Sequence, residues 1–287
     1  MEATYRQWAC SCLRGGSPVA IRVVVSGAGG RMGRHVLKEV INAADLELVG
    51  GVDPAHLGED LGILAGMSPL GISVQKDLVT TLRASKADVM VDFTTPMVAF
   101  DNIVAAVECG VRPVVGTTGM GQAELERIRE LCDERDIGCV IAPNFALGAV
   151  VMMHLCKIAA PYFPQVEIIE LHHDQKIDAP SGTAIKTAEM ILSNRSGGSE
   201  KDQGQDFVEK VKGVRGGNFG GVQIHSVRLP GLVAHQEVIF GLEGQTVTIR
   251  HDSFSRDSFM PGVLLAVRRV GAIKGVMYGL EGLLFAD

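Results

Sequence analysis

The chain has 287 residues and a formal net charge of −6, from 27 Lys and Arg against 33 Asp and Glu. Hydrophobic residues make up 46% and charged residues 21%, a globular composition that excludes a disordered or fibrous protein. The mild acidity, without a basic stripe, argues against a nucleic-acid partner. No apolar run reaches the roughly eighteen residues that span a bilayer, and the N-terminus lacks the apolar segment of a secretion signal. We therefore expect no membrane partner and a cytoplasmic location.

The predicted elements begin after a leader of unknown structure, residues 1–20. The apolar, β-branched run from Ile21 to Val25 predicts a strand, and a glycine cluster and a helical pattern from Arg34 to Ala43 follow it. Continuous apolar strands alternating with helices predict a parallel sheet covered on both faces, a Rossmann-type α/β domain. Further strands are predicted at Leu46 to Val52, Val89 to Phe93, Val111 to Val115 and Ile137 to Ile141, and helices at Met97 to Cys109 and Gln122 to Arg135.

The pattern changes after residue 144, where a second domain of α+β type with an open mixed sheet is predicted. Its helices are predicted at Ala149 to Ala159 and Thr183 to Leu192, and its strands at Val166 to Leu171, Val222 to Arg228, Glu237 to Gly241 and Gln245 to His251. Residues 193–204, rich in Ser, Gly and charge, predict a surface excursion and a candidate lid. We expect the apolar helix from Met260 to Val270 to pack on the first domain, so the domain ranges are 21–144 with 257–287, and 145–256.

The six cysteines have neither a disulfide framework nor metal-ligand spacing. Cys10 and Cys12 form a C-x-C pair without a second Cys or His pair nearby, so we expect reduced thiols and no bound metal. Neither a Ser-His-Asp arrangement nor a G-x-S-x-G turn is present, which argues against a hydrolase.

A glycine-rich turn follows the first predicted strand and opens the first helix. Gly27, Gly30 and Gly33 form G-x-x-G-x-x-G, a variant of the commoner G-x-G-x-x-G. Such glycines permit a tight turn and a close approach of the backbone, and the N–H groups of the helix then face a pyrophosphate. The alternative is a flexible loop before a helix. The strand before the turn and the helix after it favour a bound dinucleotide.

Asp53 ends the second predicted strand, 20 residues beyond Gly33. An acidic side chain at this place accepts hydrogen bonds from the adenosine ribose and favours NAD. The 2′-phosphate of NADP needs a basic partner, which Arg31 or Arg34 could supply. NADH and NADPH therefore both remain candidates.

Two loops follow the third and fourth predicted strands. Phe93 and the residues after it, and Gly116-Thr117-Thr118-Gly119, lie where the carboxyl ends of parallel strands gather ligands. We expect both loops to border the nicotinamide. Gly-Thr turns are also common plain connections, so either loop alone is a weak signal.

The densest group of reactive side chains lies between Glu170 and Ala184. His172, at a strand end, is a candidate general acid, and Lys176 offers a fixed positive charge four residues later. Ser181, Gly182 and Thr183 open the next helix and present N–H and hydroxyl groups suited to a carboxylate. The alternative, a solvent-exposed loop before a capped helix, explains one histidine but not the combination. His154 reads as a core or interface residue, and no role is given to His35, His56, His225, His235 or His251.

Several segments together resemble the dihydrodipicolinate reductase family. They are the glycine turn, Val91 to Thr94, Val115 to Gly119, Ala142 to Phe145, the segment Glu170 to Ala184, His225 to Gly231 and Arg250 to Arg256. The resemblance runs from about Ile21 to the C-terminus and leaves out only the leader. It implies an NAD(P)H-dependent reductase acting on 4-hydroxy-tetrahydrodipicolinate in the diaminopimelate route to lysine. It also implies a homotetramer built through the second domain.

The resemblance implies roles for individual residues. His172 matches the proton donor, Lys176 the residue that binds a substrate carboxylate and assists protonation, and His173 a substrate contact. Ser181, Gly182 and Thr183 match the loop that binds the other carboxylate. The matched cofactor contacts are Gly27, Arg31, Met32, Asp53, Gly116, Thr118 and the loop Ala142, Pro143, Asn144 and Phe145.

One departure from the family concerns the cofactor. Some members carry a basic residue directly after the acidic ribose ligand, whereas this chain has Pro54, so we expect use of both NADH and NADPH. Two other hypotheses are a related dehydrogenase of aspartate or its semialdehyde, and a nicotinamide-binding sensor without turnover. Lys176 with the Ser181 to Thr183 segment, suited to a dicarboxylate, argues against both.

Overall fold

The computed structural model describes residues 19–195 and 208–285. The predicted leader, apart from its last two residues, and residues 196–204 of the candidate lid lie outside these ranges. The chain divides into two compact units. The first unit runs to Cys139 and includes Val270–Val276, and the second comprises Val140–Arg269 and the residues from Met277 onwards. The domain boundaries expected from the sequence, after residues 144 and 256, stay predictions.

One of the two sheets has six strands, in the order β11-β5-β4-β3-β1-β2. The β1–β2, β1–β3 and β3–β4 pairs are parallel, so the prediction of a Rossmann-type sheet is confirmed. The strands are β1 (Ile21–Ser26), β2 (Leu46–Val52), β3 (Val89–Asp92), β4 (Arg112–Val115), β5 (Cys139–Ile141) and β11 (Val276–Tyr278). The helices between them are α1 (Arg31–Asn42), α2 (Leu61–Leu64), α3 (Leu78–Ser85), α4 (Pro96–Glu108) and α5 (Gln122–Arg135).

Two details of this sheet differ from the sequence prediction. Helix α1 begins at Arg31 rather than Arg34, because the turn is tight enough for Gly30 to serve as its N-cap. The sixth strand, β11, is absent from the prediction, since three residues near the C-terminus are too few to show a period. The fully buried Val23, Val24 and Val25 place β1 at the centre of the core.

The second unit contains a five-stranded mixed sheet with the order β10-β9-β6-β8-β7. Strand β6 is antiparallel to β9 and parallel to β8, which confirms the predicted open mixed sheet. The strands are β6 (Gln165–His172), β7 (Gly217–Phe219), β8 (Val222–Arg228), β9 (Ala234–Leu242) and β10 (Gln245–Ser253). The helices are α6 (Leu147–Ala159), α7 (Gly182–Asn194), α8 (Met260–Arg269) and α9 (Glu281–Leu284).

Strand β9 is longer than predicted and begins at Ala234 rather than Glu237. The polar pair His235-Gln236 hides this start from a search for apolar alternation, yet both side chains are buried. In the register, His235 lies opposite Leu171 and Ala234 opposite His172. The extension therefore brings His235 and Gln236 next to the end of β6.

The described ranges also bear on the predicted absences. Cys109, Cys132, Cys139 and Cys156 are free thiols, while Cys10 and Cys12 fall outside these ranges. Among the residues described, no group of His, Cys and carboxylate side chains is arranged to hold a metal ion. No helix within residues 19–195 and 208–285 has the length and apolar character that a bilayer span requires.

Candidate active site

The glycine turn is built so that side chains are excluded from it. Gly27 has a φ of +76°, a conformation that strains other residues, and a Cβ on Gly33 would lie 2.0 Å from the carbonyl oxygen of Gly27. Gly30, the N-cap of α1, provides no side-chain cap, and the first turn carries no acidic residue. The N–H groups of Gly27 and Gly30 donate to the carbonyl oxygens of Val52 and Gly27, so it is the first N–H groups of α1, from Arg31 to Gly33, that can bind an anion such as the pyrophosphate of a dinucleotide.

Asp53 closes this turn from the end of β2. Its carboxylate is largely buried and accepts hydrogen bonds from the N–H groups of Gly29 and Ala55, each at 2.9 Å. Arg34 donates from Nε to the Gly29 carbonyl oxygen at 2.8 Å, while the Arg31 side chain is exposed. The structure therefore confirms that Asp53 lies at the glycine turn, as the ribose-binding hypothesis requires.

The two strand-end loops are joined by Asp92, a residue without a predicted role. This fully buried carboxylate accepts hydrogen bonds from the hydroxyls of Thr94 and Thr117, both at 2.8 Å, and from Asn102 Nδ2 at 2.8 Å. Thr117 Oγ1 also accepts from the Thr94 N–H at 2.9 Å. Asp92 thus ties the loop after β3 to the loop after β4. The sequence alone shows that a carboxylate ends this apolar strand.

Phe93 and Gly116 are also in contact at these strand ends. A Cβ on Gly116 would lie 2.0 Å from the Phe93 ring, so the ring occupies the space that a side chain would need. Thr118 is exposed, and Thr117 is buried by its bonds to Asp92. The two loops expected to border a nicotinamide are therefore adjacent and fixed to each other.

In the second unit, the end of β6 places His172 on a buried carboxylate. His172 Nδ1 is hydrogen-bonded to Glu170 Oε2, and Glu170 also accepts from Arg228 on β8, at 3.0 Å and 2.8 Å. Burial alone would raise the pKa of Glu170, but hydrogen bonds from His172, Arg228 and Ser226 outweigh it and lower the pKa to about 2. Glu170 is therefore an anion at neutral pH, and the imidazole lies beside a fixed negative charge.

Helix α7 begins at the same place. Ser181 is its N-cap, with Oγ accepting from the Ala184 N–H at 3.2 Å, and its own N–H points to Glu170 Oε1 at 3.3 Å. Gly182 has open space where a Cβ would lie, and Thr183 Oγ1 accepts from Asn144 Nδ2 at 3.3 Å. The N–H groups of Gly182 and Thr183 remain available for a carboxylate.

Lys176 is held by a neighbouring acid in this structure. Its Nζ lies 2.7 Å and 2.8 Å from the two carboxylate oxygens of Asp178, and this ion pair lowers the pKa of Asp178. Asp178 is largely exposed, so the pair is open to solvent and to exchange with another carboxylate. His173, directly after β6, is exposed.

A cavity in the second unit brings part of the predicted set together. His172, Ser181, Thr183 and Asn144 line it, whereas Lys176, His173, Gly182, Ala142 and Phe145 do not form part of the lining. The sequence analysis missed its other polar residues, which come from β9 and β10 and are His235, Gln236, His251 and Ser253. The registers of β9 against β6 and of β10 against β9 bring them to the cavity, and no catalytic motif within either strand marks them.

His235 forms a second histidine–carboxylate pair in this cavity. Its Nδ1 lies 2.7 Å from Asp252 Oδ1, and its Nε2 accepts the Val233 N–H at 3.2 Å. Both ring nitrogens are therefore engaged within the protein. His251, also in the lining, has a pKa lowered by burial, which favours its neutral form.

These features define a class of protein. A parallel sheet with a glycine turn and an acidic residue at the end of β2 is the framework of a dinucleotide-dependent enzyme. A separate unit places a histidine, His172, on a buried carboxylate at the N-terminus of a helix. The chain is thus a two-unit oxidoreductase that uses a nicotinamide cofactor.

Comparison with known proteins gives the family. Residues 21–145 match the family model "Dihydrodipicolinate reductase, N-terminus", and residues 148–284 match "Dihydrodipicolinate reductase, C-terminus". The chain is 52% identical over 264 residues to the 4-hydroxy-tetrahydrodipicolinate reductase of Moorella thermoacetica, covering 92% of this chain and 98% of that one. The same enzyme of Listeria welshimeri is 51% identical, with 92% of this chain and 100% of that one covered.

A solved structure agrees with these relatives. The dipicolinate-bound dihydrodipicolinate reductase from Paenisporosarcina sp. TG-14 superposes with a TM-score of 0.82 at 44% identity, over 91% of this chain and 98% of that one. The chain belongs to the dihydrodipicolinate reductase family. The resemblance predicted from the sequence motifs is confirmed.

Proposed function

We propose that this protein catalyses the NAD(P)H-dependent reduction of 4-hydroxy-tetrahydrodipicolinate to tetrahydrodipicolinate, in the diaminopimelate route to lysine. The observation that carries the proposal is the pairing of His172 with the anionic Glu170 at the N-terminus of α7, in a chain of this family. That arrangement combines a proton donor with a site for a carboxylate. A cyclic dicarboxylate is a substrate that needs both.

Substrate binding rests on two carboxylate sites. The N–H groups of Gly182 and Thr183 and the Thr183 hydroxyl bind one carboxylate, because the helix N-terminus attracts negative charge. Lys176 binds the second carboxylate once it leaves Asp178, and the exposed His173 adds a further contact. Asp178 thus pairs with Lys176, and a substrate carboxylate can take the place of Asp178.

Catalysis needs a proton as well as a hydride. The reaction also removes the 4-hydroxyl group of the substrate as water, and a dihydronicotinamide bound to the chain would supply the hydride to the electron-poor ring. His172 delivers the proton to the carbon or nitrogen that gains electron density, since its Nδ1 is held by Glu170 and its Nε2 has no hydrogen-bond partner in the described part of the chain. Lys176 assists by keeping positive charge near the substrate.

The residues proposed to bind the cofactor come from the first unit and from the segment that opens the second unit. The N–H groups of Arg31, Met32 and Gly33 face the pyrophosphate, Gly27 and Gly30 shape the turn beside it, and Asp53 accepts from the adenosine ribose. The strand-end residues Phe93, Gly116, Thr117 and Thr118, with the loop Ala142, Asn144 and Phe145, border the nicotinamide. Both NADH and NADPH serve, because Asp53 suits the ribose while the exposed Arg31 can meet a 2′-phosphate.

The assembly is a homotetramer built through the second unit and located in the cytoplasm. Strand β10 supports this proposal because it is an edge strand whose first residues, 245–248, are exposed. An exposed edge is a surface on which another copy can pair. Light scattering coupled to size exclusion gives the mass, and a monomer at micromolar concentration would contradict the assembly without affecting the proposed reaction.

The test of the reaction is oxidation of NADH and of NADPH, measured side by side, with substrate generated from pyruvate and aspartate semialdehyde by the upstream synthase. We expect rapid oxidation that requires every component and ratios of kcat/KM within about tenfold between the two cofactors. Oxidation with aspartate or its semialdehyde alone would favour the related dehydrogenase. Cofactor binding without any turnover by folded protein would favour a sensor.

A further inference from the structure

Glu170 is the buried centre of a charge cluster at the end of β6. Its side chain has no exposed surface, and it receives hydrogen bonds from His172, from both terminal nitrogens of Arg228 and from the Ser181 N–H. Arg228 also donates to the Asp178 carbonyl oxygen at 2.7 Å. Glu170 therefore connects the proton donor with the segment that carries the carboxylate site.

The ionisation of Glu170 decides which nitrogen of His172 carries a proton. An ionised carboxylate can only accept hydrogen bonds, so Nδ1 of His172 must be protonated to bond with it. Nε2 is then the nitrogen that faces substrate.

The second histidine of the cavity shows that such a pair alone is not enough. His235 has its own carboxylate, Asp252, but its Nε2 already accepts the Val233 N–H. A ring nitrogen that accepts a backbone N–H cannot donate a proton to substrate. Of the two pairs, only the His172 pair combines an orienting carboxylate with a free Nε2.

We propose that Glu170, held by Arg228, is a positioning residue that fixes the tautomer and orientation of His172, so that Nε2 faces the substrate. The proposal rests on the proposed function, since it assumes that His172 is the proton donor. It extends the set of residues needed for turnover to Glu170 and Arg228, which never touch substrate. Neither residue was assigned a role by the sequence analysis.

The chain contains a matched control on the same strand. Glu167 binds Arg215 and His225, with Oε2 2.8 Å from His225 Nε2, just as Glu170 binds Arg228 and His172. This second Glu–Arg–His cluster does not line the cavity. Glu167→Gln and Glu170→Gln thus remove the same charge from two Glu–Arg–His clusters on β6, of which Glu167 is 36% exposed and Glu170 is fully buried.

The first experiment measures kcat and KM for both variants. We expect Glu170→Gln to lower kcat by about 10- to 100-fold with KM within about threefold, and Glu167→Gln to leave kcat within about twofold. Equal kcat values for the two variants would overturn the proposal.

The double variant Glu170→Gln/His172→Gln separates positioning from a structural role. If Glu170 acts through His172, the double variant is no slower than His172→Gln, whereas independent roles multiply their losses. Multiplied losses would therefore reject the positioning role. If His172→Gln itself keeps full turnover, the proposed function of His172 fails, and that outcome differs from a failure of Glu170 alone.

A measurement on the unaltered protein reports the tautomer of His172 directly. Nitrogen-15 NMR of the histidine rings reports which nitrogens carry protons, and the His172 signals are assigned as those missing from His172→Gln. We expect a protonated Nδ1 for His172 at every pH at which the protein is folded and Glu170 is ionised. An unprotonated Nδ1 in the neutral ring would contradict the proposal directly.

Discussion

The glycine turn after β1 and the histidine site after β6 both lie where a strand of a sheet ends, but they bind in different ways. In the turn, the backbone provides the N–H groups, and Gly27 and Gly33 clear the space. At β6, side chains from several segments provide the chemistry, with Glu170, Arg228 and Ser181 arranged around His172. A backbone site can be damaged by adding one methyl group, and a side-chain site by removing one charge.

The largest effect is expected from His172→Gln. It removes the proton donor and should lower kcat by about 10²- to 10⁴-fold, with NADH affinity unchanged. Steady-state kinetics and a fluorescence titration of NADH give the two quantities. His225→Gln, a change at a half-buried histidine that binds Glu167 instead, is the control and should keep kcat within about twofold. A loss of less than about tenfold in His172→Gln would remove this residue from the mechanism.

Gly33→Ala tests the backbone site. The added Cβ would lie 2.0 Å from the Gly27 carbonyl oxygen, so the turn must open, and we expect NADH affinity to fall by about 100-fold, or about 3 kcal/mol. Isothermal titration calorimetry measures the affinity. Gly271→Ala is the matched control, because its nearest atom beyond its neighbours is 4.0 Å away. Similar affinities in the two variants would show that the turn tolerates a side chain.

Glu170→Gln should also change the stability of the fold and the way that stability depends on pH. The folded-state pKa of Glu170, about 2, lies below the ordinary value of 4.5, so its ionised form stabilises the fold above about pH 4.5. This contribution is lost as the pH falls from 4.5 towards 2. At neutral pH the variant should be less stable by about 2 kcal/mol, since it removes bonds to a charged group.

Urea denaturation at several pH values measures this difference. The gap in free energy of unfolding between the original protein and Glu170→Gln should narrow between pH 4.5 and the lowest pH at which both remain folded. A gap that stays constant over that interval would mean that the charge of Glu170 does not stabilise the fold.

Asp92→Asn tests the link between the two strand-end loops. The amide cannot accept all the hydrogen bonds that the carboxylate accepts from Thr94, Thr117 and Asn102, so we expect a loss of about 1–2 kcal/mol in the free energy of unfolding. Chemical denaturation measures it. Asp101→Asn, at an exposed position on α4, should change stability by less than about 0.5 kcal/mol. Equal effects of the two variants would mean that the hydrogen bonds of Asp92 do not stabilise the fold.

The smallest effect is expected from Asp178→Asn. This change releases Lys176 from an exposed ion pair, and such pairs contribute at most about 1 kcal/mol. KM for the dicarboxylate should therefore fall by about two- to fivefold with kcat unchanged, as measured by steady-state kinetics. A rise in KM would instead mean that Asp178 holds Lys176 in the orientation that substrate needs.

The sequence could predict the parallel sheet, the glycine turn and the helix start at Ser181, because each depends on residues close together in the chain. Apolar runs, glycine spacing and cap residues are local signals. Arg228, His235 and Gln236 could not be found in this way, and for Asp92 the sequence shows a carboxylate at the end of an apolar strand but not its partners. Their positions depend on the pairing of β6 with β8 and β9 and of β3 with β4, and register between distant strands leaves no mark within either strand.

Strand β11 has a consequence for how the protein is made. It lies at the edge of the six-stranded sheet beside β5, although residues 142–275 separate the two strands in the chain. During synthesis, β5 leaves the ribosome long before its neighbour exists, and its free edge stays open to other chains. The sheet is completed only after residues 142–275 have been made, so a chain that ends before β11 keeps an unpaired strand edge.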